Sequence, residues 1–311
     1  MADHLKNVVD HLTAAGDGPV KTNELLAPYT SYRIGGASAI WVAPQTESGL
    51  ARMLEIIHAD HIPLFILGRG TNVLVSDDGW PGVTLYLGEN FSGWHFAGRQ
   101  VEVRAGTRLT DLIQAAADRG LAGMELMVGI PGGVGGALRM NAGAFGQEIA
   151  QVTASVRGLH LDGRLLERDG PAVHFGYREA RELTSMIITA ARLRFRAEDP
   201  NTLKARMAET IALRTAKQPL DFPSCGSVFK RPAGYFAGAL IEQIGMKGEQ
   251  VGGAQVSRKH AGFILNVGNA GACDVYALIR RVEDRVLHRF GVQLQREVRL
   301  VGQFGEDFFH P

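Results

Sequence analysis

The sequence predicts a globular protein of mixed helices and strands, the α+β class, organised in more than one domain. Three observations carry that expectation. The chain has 311 residues, 45% hydrophobic and 21% charged, which is enough apolar material for two or three cores and no charge excess that would hold it open. Apolar residues recur at helical spacing in some segments and as short runs in others. The 39 glycines are nearly twice the usual share, and nine of them fall in two loops: Gly68-Arg69-Gly70-Thr71-Asn72, and residues 129–146, GIPGGVGGALRMNAGAFG, where seven of eighteen positions are glycine.

In chain order, residues 1–16 read as a short amphipathic helix stopped near Gly16, before a turn at Asp17-Gly18-Pro19. TSYRIGG, residues 30–36, leads into a strand at 39–42. Leu50, Met53, Leu54 and Ile57 fall on one helical face. After Pro63, residues 64–67 read as a buried strand that the GRGTN loop leaves and Val73-Leu74-Val75 resumes. A strand at 83–87 closes this first part. Next come a strand at 101–105 and a helix at 109–119 with Leu109, Leu112, Ile113 and Ala116 inside, ended by Gly120. Beyond the long glycine stretch, strands are expected at 152–160 and 187–195, with Phe175-Gly176-Tyr177-Arg178 at a strand end. Asp199-Pro200 marks a boundary, because proline disfavours helix in the residue before it. A helix starting near Thr202 then puts Leu203, Met207 and Ile211 on one face. A short helix is expected at 239–244, a long one with Val275, Leu278, Ile279, Val282 and Phe290 inside, and a last strand at 298–301. Residues 305–311 read as a disordered tail.

Composition narrows the function. A net charge of +1 at neutral pH offers no broad field for nucleic acid or a membrane surface. MADHLKNVVDHL carries charges among its apolar residues, so it is neither a signal peptide nor a membrane span. Cys225 and Cys273 form no metal spacing and suit a reducing, cytoplasmic compartment, and no metal site is expected. Glycine at the density of 129–146 lets backbone N–H groups converge on an anion such as a phosphate. The spacing is not that of a dinucleotide-binding GxGxxG turn, since Val73 stands where its third glycine would be, and no Lys-Ser/Thr follows either cluster.

TSYRIGG, GRGTN, GIPGGVGGALRMNAGAFG, GYR, PSCGSVFK, GGAQVSRKHAGF and the Glu of REVRLVG, in that order over residues 20–303, resemble the UDP-N-acetylenolpyruvoylglucosamine reductase family. The resemblance implies a vanillyl-alcohol-oxidase-type FAD-binding fold: FAD subdomains at 1–87 and 88–199, a C-terminal α/β domain for the UDP-sugar at 200–303, and a tail at 304–311. It implies that NADPH reduces the flavin and that UDP-N-acetylglucosamine enolpyruvate then receives hydride at C3 of its vinyl group. Arg178 and Glu297 match the family's stabilisers of the carboxylate as it becomes an enolate, and Ser227 matches the proton donor to C2. Arg suits a permanent bidentate partner for a carboxylate, Glu a buried neutral donor, and Ser a hydroxyl able to protonate a strong base.

The same resemblance points to cofactor contacts at Tyr32, Arg33, Gly35, Gly68, Arg69, Gly70, Thr71, Asn72, Gly129, Pro131, Gly132, Gly133, Gly135, Gly136, Asn141, Ala142 and Gly143. Gly132, Gly135, Gly136 and residues 141–143 are expected to supply N–H groups and close backbone approach. Lys217, Lys230, Lys259 and His260 are expected near the UDP diphosphate. The sequence departs from the family's pattern at Gly133, where Ser or Thr is usual, at Cys225, commonly a small residue, and at Arg231, often Asn. Its length matches the shorter of two family types, which lacks an extra substrate-closing loop and its tyrosine. A monomer is expected. Two competing readings are a hydroxy-acid or alcohol oxidoreductase on the same flavin fold and a non-catalytic flavin-binding protein. The presence of Arg178, Ser227 and Glu297 together counts against both.

Overall fold

Leu50, Met53, Leu54 and Ile57 line the buried face of the helix Glu47–Ala59 in a computed structural model that describes residues 2–311. Thr46 caps this helix by accepting the Gly49 N–H at 3.0 Å, and Asp17 holds Thr46 in turn, bonding its N–H at 3.0 Å and its hydroxyl at 2.9 Å. The helix belongs to the first of two units into which the chain divides: residues up to Thr22, Ile40–Arg69 and Val83–Arg214. The second comprises Asn23–Ala39, Gly70–Gly82 and Thr215–Pro311.

The first unit holds two cores. One gathers Val8 and Leu12 of the helix Ala2–Ala14 with Ile40, Val42, Leu50, Leu54, Val83 and Leu85. It lies on a four-stranded sheet of order Val20–Leu25, Ala37–Val42, Trp80–Tyr86, Leu64–Leu67, and the division between the units falls within three of these strands. The last pair is parallel, with Leu64 opposite Val83 and Leu67 opposite Tyr86. The other core lies on a five-stranded sheet of order Leu165–Asp169, Thr153–Leu159, Ile187–Arg194, Gln100–Arg104, Trp94–Ala97. The helix Leu109–Ala117 covers that core with Leu109, Leu112, Ile113 and Ala116.

The second unit is built around the helix Ala272–Phe290, which buries Val275, Leu278, Ile279, Val282 and Val286. Phe290 is only partly buried against this core, where the periodicity expected it inside. Gly291 ends the helix in the left-handed conformation at φ 67°, its N–H donated to Leu287 O at 2.8 Å. Two three-stranded sheets complete the unit. One runs Gln250–Val251, Ala254–Val256, Ile264–Asn266 and the other Asp307–Phe309, Arg299–Phe304, Val73–Val75.

Four expectations are corrected. Val73–Val75 does not resume the strand before it; it pairs in parallel with Arg299–Phe304, Leu74 opposite Leu300. A run of three apolar residues carries no information about its partner. Residues 305–311 are not a disordered tail: Asp307–Phe309 folds back on Arg299–Phe304, Phe308 stacks on Trp80 at 5.9 Å and Tyr276 donates to Asp307 at 2.8 Å. Ile211 is 46% exposed, while Thr210 is buried beside Leu203 and Met207. At about 100° per residue, position 210 returns near the azimuth of 203 and position 211 overshoots it. The helix starts at Pro200 instead of Thr202, with the Asp199 carboxylate accepting the Thr202 N–H at 2.8 Å. Leu203 and Met207 pack into the first unit's core and the division between the units falls after Arg214, while 23–39 and 70–82 group with the C-terminal residues.

Candidate active site

In the second unit the PSCGSVFK segment is held from two sides. On one, Ser227 bridges Phe263 and the Val228 N–H donates to Gly262 O at 2.9 Å. On the other, Val228 O accepts the Glu297 N–H at 2.7 Å, and the Lys230 N–H donates to Gln295 O at 2.8 Å. Ser227 and Glu297 therefore stand on neighbouring, hydrogen-bonded segments, both half-buried. Gly226 precedes the serine at φ 82°, a turn that a side chain would strain. Asn72 fastens the other flank of Glu297: its Nδ2 donates to Glu297 O at 3.1 Å, and its own carbonyl accepts the Arg299 N–H at 3.0 Å.

Beneath this segment lies a pair that the sequence did not suggest. Burial pushes the Cys225 thiol up to about 12, so the sulfur stays neutral. Burial first, and then that thiol, hold the Tyr32 phenol well above its ordinary range. Tyr32 is 0% exposed. Its side chain is thus part of the second unit's core, and Asn266 anchors its backbone by donating from Nδ2 to Tyr32 O at 3.0 Å. Arg33 follows, exposed and left-handed at φ 57°.

Of the expected substrate cations, Lys259 Nζ donates to Thr215 O at 2.6 Å, which draws it toward the end of the helix carrying exposed Lys217. His260 accepts the Gly262 N–H at Nδ1, 3.1 Å away, and packs edge-on to Phe263 at 5.0 Å. Burial lowers its pKa, and the accepted bond fixes a neutral ring protonated on Nε2. Lys230 is half-buried.

In the first unit, residues 129–146 wrap the edge of the Gln100–Arg104 strand. The Val134 N–H donates to Thr107 O at 2.9 Å and the Gly135 N–H to Ala105 O at 2.8 Å. The Ala142 N–H turns back to Ala137 O at 2.8 Å and the Asn141 N–H to Leu138 O at 3.2 Å. Gly135, Asn141 and Ala142 were expected to offer these groups to a ligand, but the protein uses them. Gly133 caps the short helix Val134–Arg139 with extended backbone and no side-chain bond, and a Cβ there would lie 3.0 Å from Ala105 O. Gly68 and Gly136 are different: a Cβ on either would meet nothing within 4 Å. Backbone left bare and facing open space suits a cofactor lying against the main chain, so these two positions fit FAD.

Arg69 does not reach outward, since its Nε donates to Gly106 O at 3.0 Å and its guanidinium lies 3.5 Å from Glu89. Gly70, in the second unit, has φ 59° and approaches Tyr29 so closely that a Cβ would lie 2.1 Å from its carbonyl oxygen. Arg178 sits in a turn, one step past the strand end expected for it. Phe175–Gly176 pairs with Glu179–Ala180, leaving Tyr177 and Arg178 as the two turn residues, the second at φ 57°. Arg214 escaped the sequence reading because it stands in no motif. It is half-buried, burial lowers its pKa, and a Cβ on Gly129 would lie 3.0 Å from its Nε. Among the described residues no group of His, Cys, Asp and Glu is arranged to hold a metal, and no helix is long and apolar enough to cross a membrane.

Comparison with known proteins places this geometry. The family model described as "FAD binding domain" matches residues 38–169, and "UDP-N-acetylenolpyruvoylglucosamine reductase, C-terminal domain" matches residues 218–301. The UDP-N-acetylenolpyruvoylglucosamine reductase of Syntrophomonas wolfei is 40% identical over 91% of this chain and 95% of its own. That of Listeria innocua is 41% identical over the same shares. The crystal structure of the Thermus caldophilus reductase superposes with a TM-score of 0.79 at 35% identity, covering 91% of this chain and 99% of that one. The relatives span both units and the second family model spans Ser227 and Glu297, so the chain belongs to the UDP-N-acetylenolpyruvoylglucosamine reductase family.

Proposed function

We infer from the family and from the arrangement of Ser227 and Glu297 how this chain works. It is an FAD-dependent, NADPH-driven reductase that converts UDP-N-acetylglucosamine enolpyruvate into UDP-N-acetylmuramate for peptidoglycan precursor synthesis. FAD, when bound, would supply the hydride chemistry that links NADPH to the vinyl C3 of the sugar. The bare backbone at Gly68 and Gly136, with neighbouring glycines of the 129–136 segment, would hold that group in the first unit.

The chain's own residues then manage charge and a proton. In this reading Arg178 pairs its guanidinium with the substrate carboxylate, where negative charge grows as the double bond is reduced. Glu297 donates a hydrogen bond to that carboxylate from its neutral form. Ser227 delivers the proton to C2, and its hydroxyl is replenished from solvent. Lys217, Lys230 and Lys259 supply the cations a diphosphate needs, with His260 as a neutral donor through Nε2. A cytoplasmic monomer with neither nucleic-acid nor membrane partners completes the proposal, supported by free Cys225 and Cys273 and a net charge of +1.

The observation that carries the mechanism is the Glu297 N–H to Val228 O bond of 2.7 Å, which sets the glutamate beside the serine segment. The test is anaerobic: purified protein is assayed for bound flavin, reduced with NADPH and mixed with the enolpyruvyl sugar. Reoxidation by the sugar is the expected result. Reoxidation only by a hydroxy-acid partner or by oxygen would overturn it.

A further inference from the structure

Asn141 stands one residue beyond the cap of the Val134–Arg139 helix, left-handed at φ 40° and 2% exposed. A carboxamide has two N–H donors and one carbonyl acceptor, and here all are engaged. Nδ2 donates to Glu148 Oε2 at 2.8 Å and to Gly176 O at 3.0 Å, while Oδ1 accepts the Ala150 N–H at 3.3 Å. With both donors taken, the side chain has none left for a cofactor phosphate. Gly143 belongs to the same device, since a Cβ there would lie 2.7 Å from Glu148 Cγ. Glycine at that position leaves room for the carboxylate that holds the amide.

The far end of the amide is the informative one. Gly176 opens a hairpin of only two residue pairs, and the turn it leads into is Tyr177-Arg178. A hairpin this short has little stability of its own, so its place is set by what it is tied to. The left-handed backbone at Arg178 also needs outside support. Asn141 supplies a tie from the buried end of the glycine-rich stretch to the residue two before the arginine.

The geometry points to Asn141 as a positioning residue for Arg178: its amide fixes the Gly176 carbonyl, and through it the turn that presents the guanidinium to the substrate carboxylate. This rests on the reading of Arg178 given above. It assigns the Asn of the NAGAFG segment to the hairpin, in place of the flavin contact expected from the sequence.

The test uses flavin-loaded enzyme and the two half-reactions. Asn141→Asp keeps the shape and the acceptor for Ala150 but removes the donor to Gly176. It is expected to leave flavin content and reduction by NADPH at wild-type values and to slow reoxidation by the enolpyruvyl sugar by about 10²-fold, the scale of a misplaced group. In an Arg178→Ala background the same substitution should add nothing. Independently of flavin, hydrogen exchange at residues 174–182 should quicken by about tenfold or more. An equal further slowing in the Arg178→Ala background, or unchanged exchange at the hairpin, overturns the inference while leaving Arg178 its role. Wild-type reoxidation by Arg178→Ala itself overturns that role and the inference with it. If Asn141→Asp does not fold, Asn141→Gly, which suits the left-handed backbone, decides by the same measurements.

Discussion

Ser227 is the residue on which the chemistry can be tested most directly. Its backbone is bridged to Phe263 and Glu297 is tied to the next residue, so removing the hydroxyl should leave the segment in place. Ser227→Ala is expected to reduce its flavin with NADPH at the wild-type rate and to reoxidise with the enolpyruvyl sugar about 10²–10⁴-fold more slowly, seen by stopped-flow absorbance. Unchanged reoxidation would remove the serine from the mechanism. Two positions away, Cys225 is buried and its thiol pushed up to about 12, whereas Cys273 is exposed. Thiolate is the reactive form, so native protein near neutral pH should titrate one thiol with a chromogenic disulfide reagent and denatured protein two. Two fast thiols in the native protein would mean that the floor beneath Ser227 is open. At this scale the sequence offers residue types but not their surroundings. Arg178, Ser227 and Glu297 are readable because their motifs are ordered along the chain. That Tyr32 is a core residue, and that the Asn141 amide faces Glu148 and Gly176, depends on partners far away in sequence.

At the scale of elements, the glycine-rich stretch is best described as a clamp on the Gln100–Arg104 strand with a bare outer face. Its inner N–H groups bond Ala105 and Thr107, and Gly136 is the exposed position. Gly136→Val should therefore fold as well as wild type, since the Cβ meets nothing within 4 Å and valine is no worse than glycine in a helix. The same variant should bind FAD at least about tenfold more weakly, a loss of ~1.4 kcal/mol, measured by flavin retention on gel filtration. A fully yellow variant would separate this glycine from the cofactor. Helices were legible here because burial follows a 3.6-residue period, and the misplaced position at Ile211 comes from carrying that period through too many turns. Short strands were less legible. Val73–Val75 and Asp307–Phe309 each have three residues, too few to reveal a period or a partner.

For the whole molecule, the C-terminal domain expected from residue 200 onward lacks pieces that the second unit needs. Leu74 is 0% exposed in its core, as are Tyr32 and Val228, and the Val73–Val75 strand pairs with Arg299–Phe304. A fragment of residues 200–311 should consequently show no cooperative thermal transition by circular dichroism, although it contains the entire 218–301 match. A sharp two-state melt of that fragment would show that the unit closes without its N-terminal segments. Linear domain boundaries were the least legible feature of the sequence, because the chain passes from one unit to the other five times.

That parallel pairing of Val73–Val75 with Arg299–Phe304 also sets a timetable for synthesis. The first unit is complete in the nascent chain once Arg214 has left the ribosome, whereas the second must wait for a strand near the very end. At translation speeds of about 5–20 residues per second, the interval is on the order of ten seconds. Over that time Leu74 lacks its strand partner Leu300. The newborn enzyme thus passes through a stage in which one half is folded and the other is a chaperone's client.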